Sequence, residues 1–487
     1  MQTANLSMLL PDMLLELGIV VVIVLATFGV RRIAYPVAVI ASVLAAIGFA
    51  TMALDGHSYY YFSNSYVVDP MASLLKACVS LGFAVTLVYS HRYLQDRELA
   101  SDEFFLLAMF SLLGQFLMIS GNNFLSLYLG LELMSLPLYA IIALRRDSSQ
   151  STEAAMKYYV LGALSSGFLL YGISMMYGAT GSLDLGEVLR AIASGRINTG
   201  VLLFGVIFIV AGVAFKLGAV PFHMWVPDVY QGAPTPMTLL IGGGSKVAAF
   251  AFMLRFLVEG FLPLAIDWQQ MLVILSALSL IVGNLTGIVQ RNIKRMLAYS
   301  TISHMGFILL GVLSGVVDGK ADGAAGAYGS AMFYSIIYLL TTLGTFGMLM
   351  LLCRRNFEAE NIDDLKGLFK RSPWTAFVML ILMFSLTGIP PTVGFYAKLA
   401  VLEAVMQAGY IWLAVLAVIT SVFGAFYYLR IVKVMYFDQP EDQAPLATDG
   451  GARALLTING LAVLALGLLP GPLMTLCLQA MRVTLAS

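Results

Sequence analysis

Apolar residues arrive along this chain in long blocks separated by short polar connections. A helix needs about 20 mostly apolar residues to cross a bilayer. That window predicts about fourteen spans, at 13–30, 37–54, 71–90, 103–119, 122–144, 153–177, 202–230, 236–258, 269–290, 296–315, 326–352, 374–409, 411–434 and 454–475. The blocks at 202–230 and 374–409 are too long for one straight crossing, and each carries an internal break. The most polar stretch, CRRNFEAENIDDLKGLFKRSP, reads as an exposed connection. No linker or low-complexity segment interrupts the pattern. The expectation is an all-α polytopic protein with a single membrane domain over residues 1–487.

Composition supports a lipid-facing surface. The chain of 487 residues is 60% hydrophobic and 11% charged, whereas soluble domains carry roughly 25% charged residues. A net charge of zero gives no argument for a nucleic-acid or acidic partner. Cys78, Cys353 and Cys477 are far apart and form no CxxC pair, which argues against a metal or Fe–S site within the chain. The N-terminus has no basic region and no small-residue cleavage site, so it reads as the lead-in to a retained first helix.

Basic residues set the expected orientation. With the N-terminus outside, the inside connections hold Arg31 and Arg32, Arg92 and Arg97, Arg145 and Arg146, then Arg291, Lys294 and Arg295, and finally Arg354, Arg355, Lys366, Lys370 and Arg371. The outside connections hold little beyond Arg190, Arg196 and Lys320. An even number of spans then places both termini outside.

Several ionisable residues stand inside the apolar blocks, where each costs at least about 2.5–3.5 kcal/mol and marks an ion pathway by default. Glu132 is midway along FLSLYLGLELMSLPLY. Lys216 is followed by His223, Lys246 lies about ten residues into the next block, His304 is within AYSTISHMGF, and Lys398 is in the second half of the broken late block. Lys157 is nearer the end of its span, where a lysine can reach the interface. A structural salt bridge with Glu132 accounts for one lysine but not for the series. A buried lysine switches between charged and neutral as a carboxylate partner moves, and Glu132 is the candidate partner. Glu132, Lys216, Lys246 and Lys398 are the primary candidates. Lys157, His223, Tyr299 and His304 are the secondary ones.

The breaks fall beside these charges. Gly218 and Pro221 follow Lys216; Gly388, Pro390, Pro391 and Gly394 precede Lys398. Proline removes a backbone donor, and freed backbone groups at membrane depth must be received by protein or water. Paired interrupted spans in two halves of a chain point to inverted repeats around an ion site. GGGSK at 242–246 lacks the spacing of a phosphate loop, and its glycines read as close helix packing. No dinucleotide, haem or HExxH motif occurs.

The segment KLGAVPFHMWVPDVYQGAPTPMT resembles the proton-conducting antiporter-like family shared by respiratory complex I and multisubunit cation/proton antiporters. The resemblance covers about residues 70–435 and matches the family's mid-helix Glu, broken-helix Lys, mid-membrane Lys and late station to Glu132, Lys216, Lys246 and Lys398. Within the family, DVYQGAPTP, KYYVLGALSSGFLLYG and RNIKRMLAYSTISHMGF look like the subunit N branch. The M and L branches usually read closer to DAHxEAPTP, M is expected to carry Glu where Lys398 stands, and L is longer, with a lateral helix. Glu403, five residues after Lys398, matches no hallmark.

The resemblance implies a proton-translocating subunit of a bacterial NADH–quinone oxidoreductase in the cell inner membrane, with both termini periplasmic. It implies inverted five-helix repeats at about 103–258 and 269–434, flanked by helices in 1–70 and 436–487. It also implies antiporter-like subunit M and small subunit K as neighbours, and NADH, FMN, Fe–S clusters and quinone held by partner subunits. In that mechanism Glu132 modulates Lys216, and a proton passes through Lys246, His304 and water to Lys398. Three rivals remain: a sodium/proton antiporter subunit, a subunit of a plastoquinone-reducing photosynthetic complex, and a non-conducting spacer.

Overall fold

The computed structural model describes residues 6–28, 33–195, 197–317, 321, 323–355, 357–440 and 450–486. Arg31, Arg32, Arg196 and Lys320, counted above for orientation, lie outside them. The helices in chain order are α1 (Leu10–Thr27), α2 (Ala34–Met52), α3 (Pro70–Asp96), α4 (Asp102–Ser120), α5 (Phe124–Ala143), α6 (Ser149–Thr180) and α7 (Leu185–Ala193). They continue with α8 (Thr199–Leu217), α9 (Trp225–Gly232), α10 (Thr235–Gly242), α11 (Gly244–Leu254), α12 (Ala265–Ile288), α13 (Ile293–Leu313) and α14 (Ala324–Leu352). The last are α15 (Leu368–Arg371), α16 (Pro373–Thr387), α17 (Val393–Gln407), α18 (Ile411–Phe437), α19 (Gly450–Leu468) and α20 (Gly471–Ala486). A small antiparallel hairpin, β1 (Tyr59–Tyr61) with β2 (Tyr66–Val68), sits between α2 and α3.

Among the described residues, 13 helical stretches are long and apolar enough to cross a membrane. The late block resolves instead into α16 and α17, each too short to cross alone, and the 202–230 block resolves into α8 and α9. Two expectations need correction. The 236–258 block is not one α-helix: it breaks at Gly243 between α10 and α11 and ends in a π-helical turn, Arg255–Gly260. The 454–475 block is interrupted after Leu468, and α20 extends the helical chain to Ala486. The loop tyrosines and valines around residue 60 pair as a hairpin, as β-branched and aromatic residues favour.

The layers follow from composition. In the spans containing α10–α11, α13 and α14, 94% of the apolar window is buried inside the protein, against 28–39% for α1, α2 and α19. The first group therefore forms the centre and the second the outer rim. Close approach needs small residues. A Cβ at Gly114 of α4 would meet the Met134 backbone of α5 at 2.2 Å, so only glycine permits that contact.

The two ends differ in chemistry. At the basic end, Arg97 and Arg145 both reach Glu358, and Lys294 reaches Glu360. At the opposite end, the hairpin, α7 and the start of α5 are sewn together: Asn122 donates to Ser65 O, Phe124 to Leu183 O, and Asn64 to Asp184.

Candidate functional site

The first break begins where α8 ends. Gly218 adopts φ +79, and its N–H donates to the carbonyls of Ala214 and Phe215. Glycine enters this left-handed region at no steric cost. A helix that stops here leaves its last carbonyls without backbone donors. Lys246 supplies one from α11: its Nζ donates to Lys216 O at 2.8 Å and to Leu217 O at 3.1 Å. The same ammonium lies 4.8 Å from the Trp225 ring, a cation–π contact. Trp225 is fixed by its own bond to Phe215 O and by stacking on Tyr158. Lys246 is 1% exposed. The break at Gly243, three residues earlier, begins the helix that carries it.

Lys216 turns the other way, toward α5. Its Nζ donates to Ser135 Oγ at 2.8 Å and Tyr139 OH at 3.3 Å. These residues stand three and seven positions after Glu132, on one helical face. Glu132 is half-buried, and its Oε1 has no hydrogen-bond partner among the described residues. Its carboxylate acts on Lys216 electrostatically without a salt bridge: no Glu132–Lys216 contact within 4 Å occurs among the described residues. Two hydroxyls of α5 thus receive the Lys216 ammonium directly.

The second break repeats the backbone pattern. Gly388 adopts φ +88, and its N–H donates to the carbonyls of Phe384 and Ser385. A cis X-Pro bond follows in each case, Val220–Pro221 and Pro390–Pro391. Lys398 reaches back from α17 to Thr387 O at 2.9 Å, the last carbonyl before the glycine, and lies 5.2 Å from the Phe307 ring. Lys398 lines a small cavity with His304, Tyr334, Tyr338 and Ser385.

Hydroxyls and one imidazole occupy the space between the breaks. His304 Nδ1 pairs with Tyr334 OH at 2.7 Å and Nε2 with Tyr428 OH at 3.3 Å. Tyr428 meets Ser300 Oγ at 2.5 Å, and Tyr338 donates to Thr301 at 2.9 Å. Tyr230 continues toward the first break, its hydroxyl against Gly242. The secondary candidates divide. His304 is in the file. His223 is half-buried in the first break. Tyr299 is half-buried, and its side chain makes no hydrogen bond among the described residues. Lys157 bonds Asp228 at 2.7 Å and Glu153 at 2.8 Å at the basic end, beside Arg295, around a cavity of about 180 Å³. Glu403 is exposed on α17.

Sequence reasoning missed Ser135, Tyr139, Tyr230, Tyr334, Tyr338 and Tyr428. Hydroxyls in apolar spans give no cost signal, although Tyr334 and Tyr338 share a face at i, i+4 spacing. It also missed Lys76 and Arg255, which the test for charges within apolar blocks could have found.

Residues 121–424 match the family described as NADH:quinone oxidoreductase/Mrp antiporter, TM, and a Paraburkholderia phymatum protein named NADH-quinone oxidoreductase subunit N is 70% identical over 100% of both chains. The chain belongs to this family. A chain of respiratory complex I from Thermus thermophilus with bound aureothin is 32% identical, with TM-score 0.80 over 96% of this chain and 98% of that one. A chain of the Mrp complex from Dietzia sp. shares the fold, with TM-score 0.84 over 98% and 97%, at 20% identity. The matched residues include both breaks, Lys398, His304, Tyr230, Tyr334 and Tyr338, while Tyr428 lies just beyond them.

Proposed function

We propose that this chain is a proton-translocating membrane subunit of a bacterial NADH–quinone oxidoreductase, and that Glu132, Lys216, Lys246 and Lys398 are its stations. The observation that carries this reading is the pair of matched breaks, each with a lysine ammonium on a freed carbonyl, with His304 and the tyrosines lying between them. Lys216 and Lys246 share the first break as two cations, so protonating one disfavours charge on the other. Glu132 offsets Lys216. As that offset weakens, Lys216 loses its proton more readily and Lys246 gains one. From Lys246 the proton passes along Tyr230, Tyr338 and His304 to Lys398.

Moving one charge across the membrane costs about 2.3 kcal/mol per 100 mV. NADH oxidation by FMN and Fe–S clusters and quinone reduction, all in partner subunits, supply that work. Subunits M and K are the proposed neighbours. The half-exposed face of α5 around Glu132 is suited to a partner's charge. The basic end faces the cytoplasm, and both termini are periplasmic. The matched breaks support inverted repeats.

The test is to purify the complex containing this chain, reconstitute it in vesicles and add NADH. Quinone-dependent acidification of the interior without added sodium is expected. Strict sodium dependence, or co-purification with subunits that carry no NADH-oxidising activity, contradicts it.

A further inference from the structure

Five charged side chains near the end opposite the basic one take no part in the path just described. Lys76 of α3 bonds Asp12 of α1 at 3.0 Å, and the hydroxyl of Tyr66 bonds both. Arg255, in the π-helical turn, forms an ion pair with Asp69 at 2.8 Å and donates to Glu259 at 2.6 Å. Asp69 and Lys76 stand two turns apart on one stripe of α3, and Lys76 is within electrostatic reach of both Asp69 and Arg255. The charges alternate: Asp12, Lys76, Asp69, Arg255, Glu259. Three carboxylates against two cations leave a formal charge of −1. Excess charge buried in a membrane domain needs a counter-charge or a proton.

The three carboxylates are not equally served. Asp12 has both an ammonium and a phenol. Asp69 has Arg255 and the N-terminus of α3, where it accepts from Ala72 N at 2.7 Å and gains from the helix dipole. Glu259 shares Arg255 with Asp69. Its side chain is 21% exposed, on a cavity of about 500 Å³. Tyr60, Asn64, Asn122, Arg255 and Thr484 line the same cavity. Glu259 is therefore the carboxylate best placed to take a proton and to exchange it with solvent.

The cluster also shares a span with the first break's Lys246. Lys246 and Arg255 are nine residues apart in one span. Gln115 Oε1 of α4 lies 2.6 Å from where a Cβ on Gly244 would stand, two residues from Lys246. Gln115 Oε1, Ser111 Oγ and Ser80 Oγ are buried without hydrogen-bond partners among the described residues. Ser80 stands one turn from Lys76. Buried polar atoms with unmet bonds are sites for bridging water.

We propose that Glu259 is a second proton-exchange residue, held by Arg255 and opening on this cavity, which passes protons between the Lys246 break and the side opposite the basic end. Release breaks the carboxyl O–H bond and leaves the proton on cavity water and the charge on Glu259; recharging reverses this. The inference rests on the reading of Lys246 as a proton station. Other charges around Glu259 are Asp69 and Lys76 from α3, Asp184, Glu187 and Arg190 from α7 and its cap, and Asp267 from α12. Asp184, Glu187 and Arg190 already bond Asn64, Ser182 and Gly186 O.

The test uses the intact reconstituted complex with Glu259→Gln, Glu259→Asp and Lys246→Met, all normalised to assembled complex. Infrared difference spectra across a pH titration read the carboxylic C=O band, and NADH-driven acidification is followed at several interior pH values. Glu259→Gln is expected to lose one titrating carboxyl band. It is also expected to lose the part of the interior-pH dependence that exceeds the opposing gradient. Glu259→Asp keeps both, displaced in pH. An unchanged band and pH curve in Glu259→Gln overturns the proposal, provided that Lys246→Met abolishes pumping. A uniform loss at every pH makes Glu259 structural and also overturns it. Should Glu259→Gln fail to assemble, an undisplaced titration in Glu259→Asp contradicts it. If Lys246→Met pumps normally, the underlying station reading fails instead, and this inference with it.

Discussion

The two broken spans share a backbone and differ in where their cations come from. Both end a half-helix on a left-handed glycine, and both offer the carbonyl just before it to an ammonium. At the first break that ammonium comes from another span, by way of Lys246, while Lys216 on the broken span itself turns away to α5. At the second break the broken span closes on itself, because Lys398 of α17 reaches back to Thr387 of α16. The break thus supplies a fixed acceptor, and the source of the lysine decides what it is coupled to. The first break is coupled to α5 and Glu132, and the second to His304 and the tyrosines.

The largest expected effect comes from emptying either clasp. Lys398→Met removes the cation at the second break and leaves Thr387 O without its donor, at a cost of about 1–3 kcal/mol for an unsatisfied buried group. NADH-driven pumping per assembled complex should collapse. A wild-type rate would show that the two breaks are not parts of one path.

A smaller and asymmetric effect is expected at the glycines. Alanine at φ +79 or +88 costs about 1–2 kcal/mol of backbone strain at either site. At Gly218 the new Cβ also meets Val226 Cγ2 at 2.7 Å, whereas at Gly388 it meets the flexible Lys398 Cδ at 2.9 Å. Gly218→Ala should therefore lower the melting temperature of the complex more than Gly388→Ala, while Gly388→Ala should disturb pumping more through its displaced lysine. The reverse order in both measurements would break the comparison.

Glu132→Gln tests the one-sidedness of the coupling. It removes the charge that acts on Lys216 and leaves the Ser135 and Tyr139 bonds in place, so assembly should survive and coupled turnover should fall. Glu132→Asp should be milder. Ser135→Ala, which removes a bond but no charge, should cost less pumping than Glu132→Gln. Equal effects would make the hydroxyl clasp the controlling contact.

How much of this was legible in the sequence depended on whether a residue carries a cost in lipid. Glu132, Lys216, Lys246 and Lys398 were legible because a charge in an apolar block has no cheap explanation. Both proline-bearing breaks were legible for the same reason. The Gly243 break was not, since glycines between helices serve close packing equally well. The tyrosine file was not legible because phenols fit apolar spans without penalty. Tyr299 illustrates the limit: it lies five residues from His304, a spacing that puts it on another face of α13. The Asp12–Lys76 pair joins a helix start to a distant span, and only tertiary structure brings the two together.

The smallest expected effect lies at the basic end. Burial opposes ionisation of Glu358, but the Arg97 guanidinium, with Tyr93 and Lys294, outweighs it and holds the carboxyl below its usual range. A lowered folded value means the stabilisation is complete above the ordinary carboxylate range and is lost as pH falls through the folded value. Glu358→Gln should cost about 1 kcal/mol, a partly exposed charged hydrogen bond. It should also flatten the acid limb of thermal stability without altering pumping at neutral pH. A loss of pumping would tie this connection to the path.

The central claim is that Lys246 carries protons and does not merely brace the first break. The direct measurement is NADH-driven proton uptake into vesicles by Lys246→Met, Lys246→Ala and Lys246→Arg, each normalised to assembled complex. A station must release its proton, which arginine cannot readily do, so all three should impair pumping and Arg should not restore it. A bracing lysine predicts the opposite order, with Lys246→Arg near wild type because it still donates to the carbonyls of Lys216 and Leu217. Wild-type pumping by Lys246→Met would contradict the account.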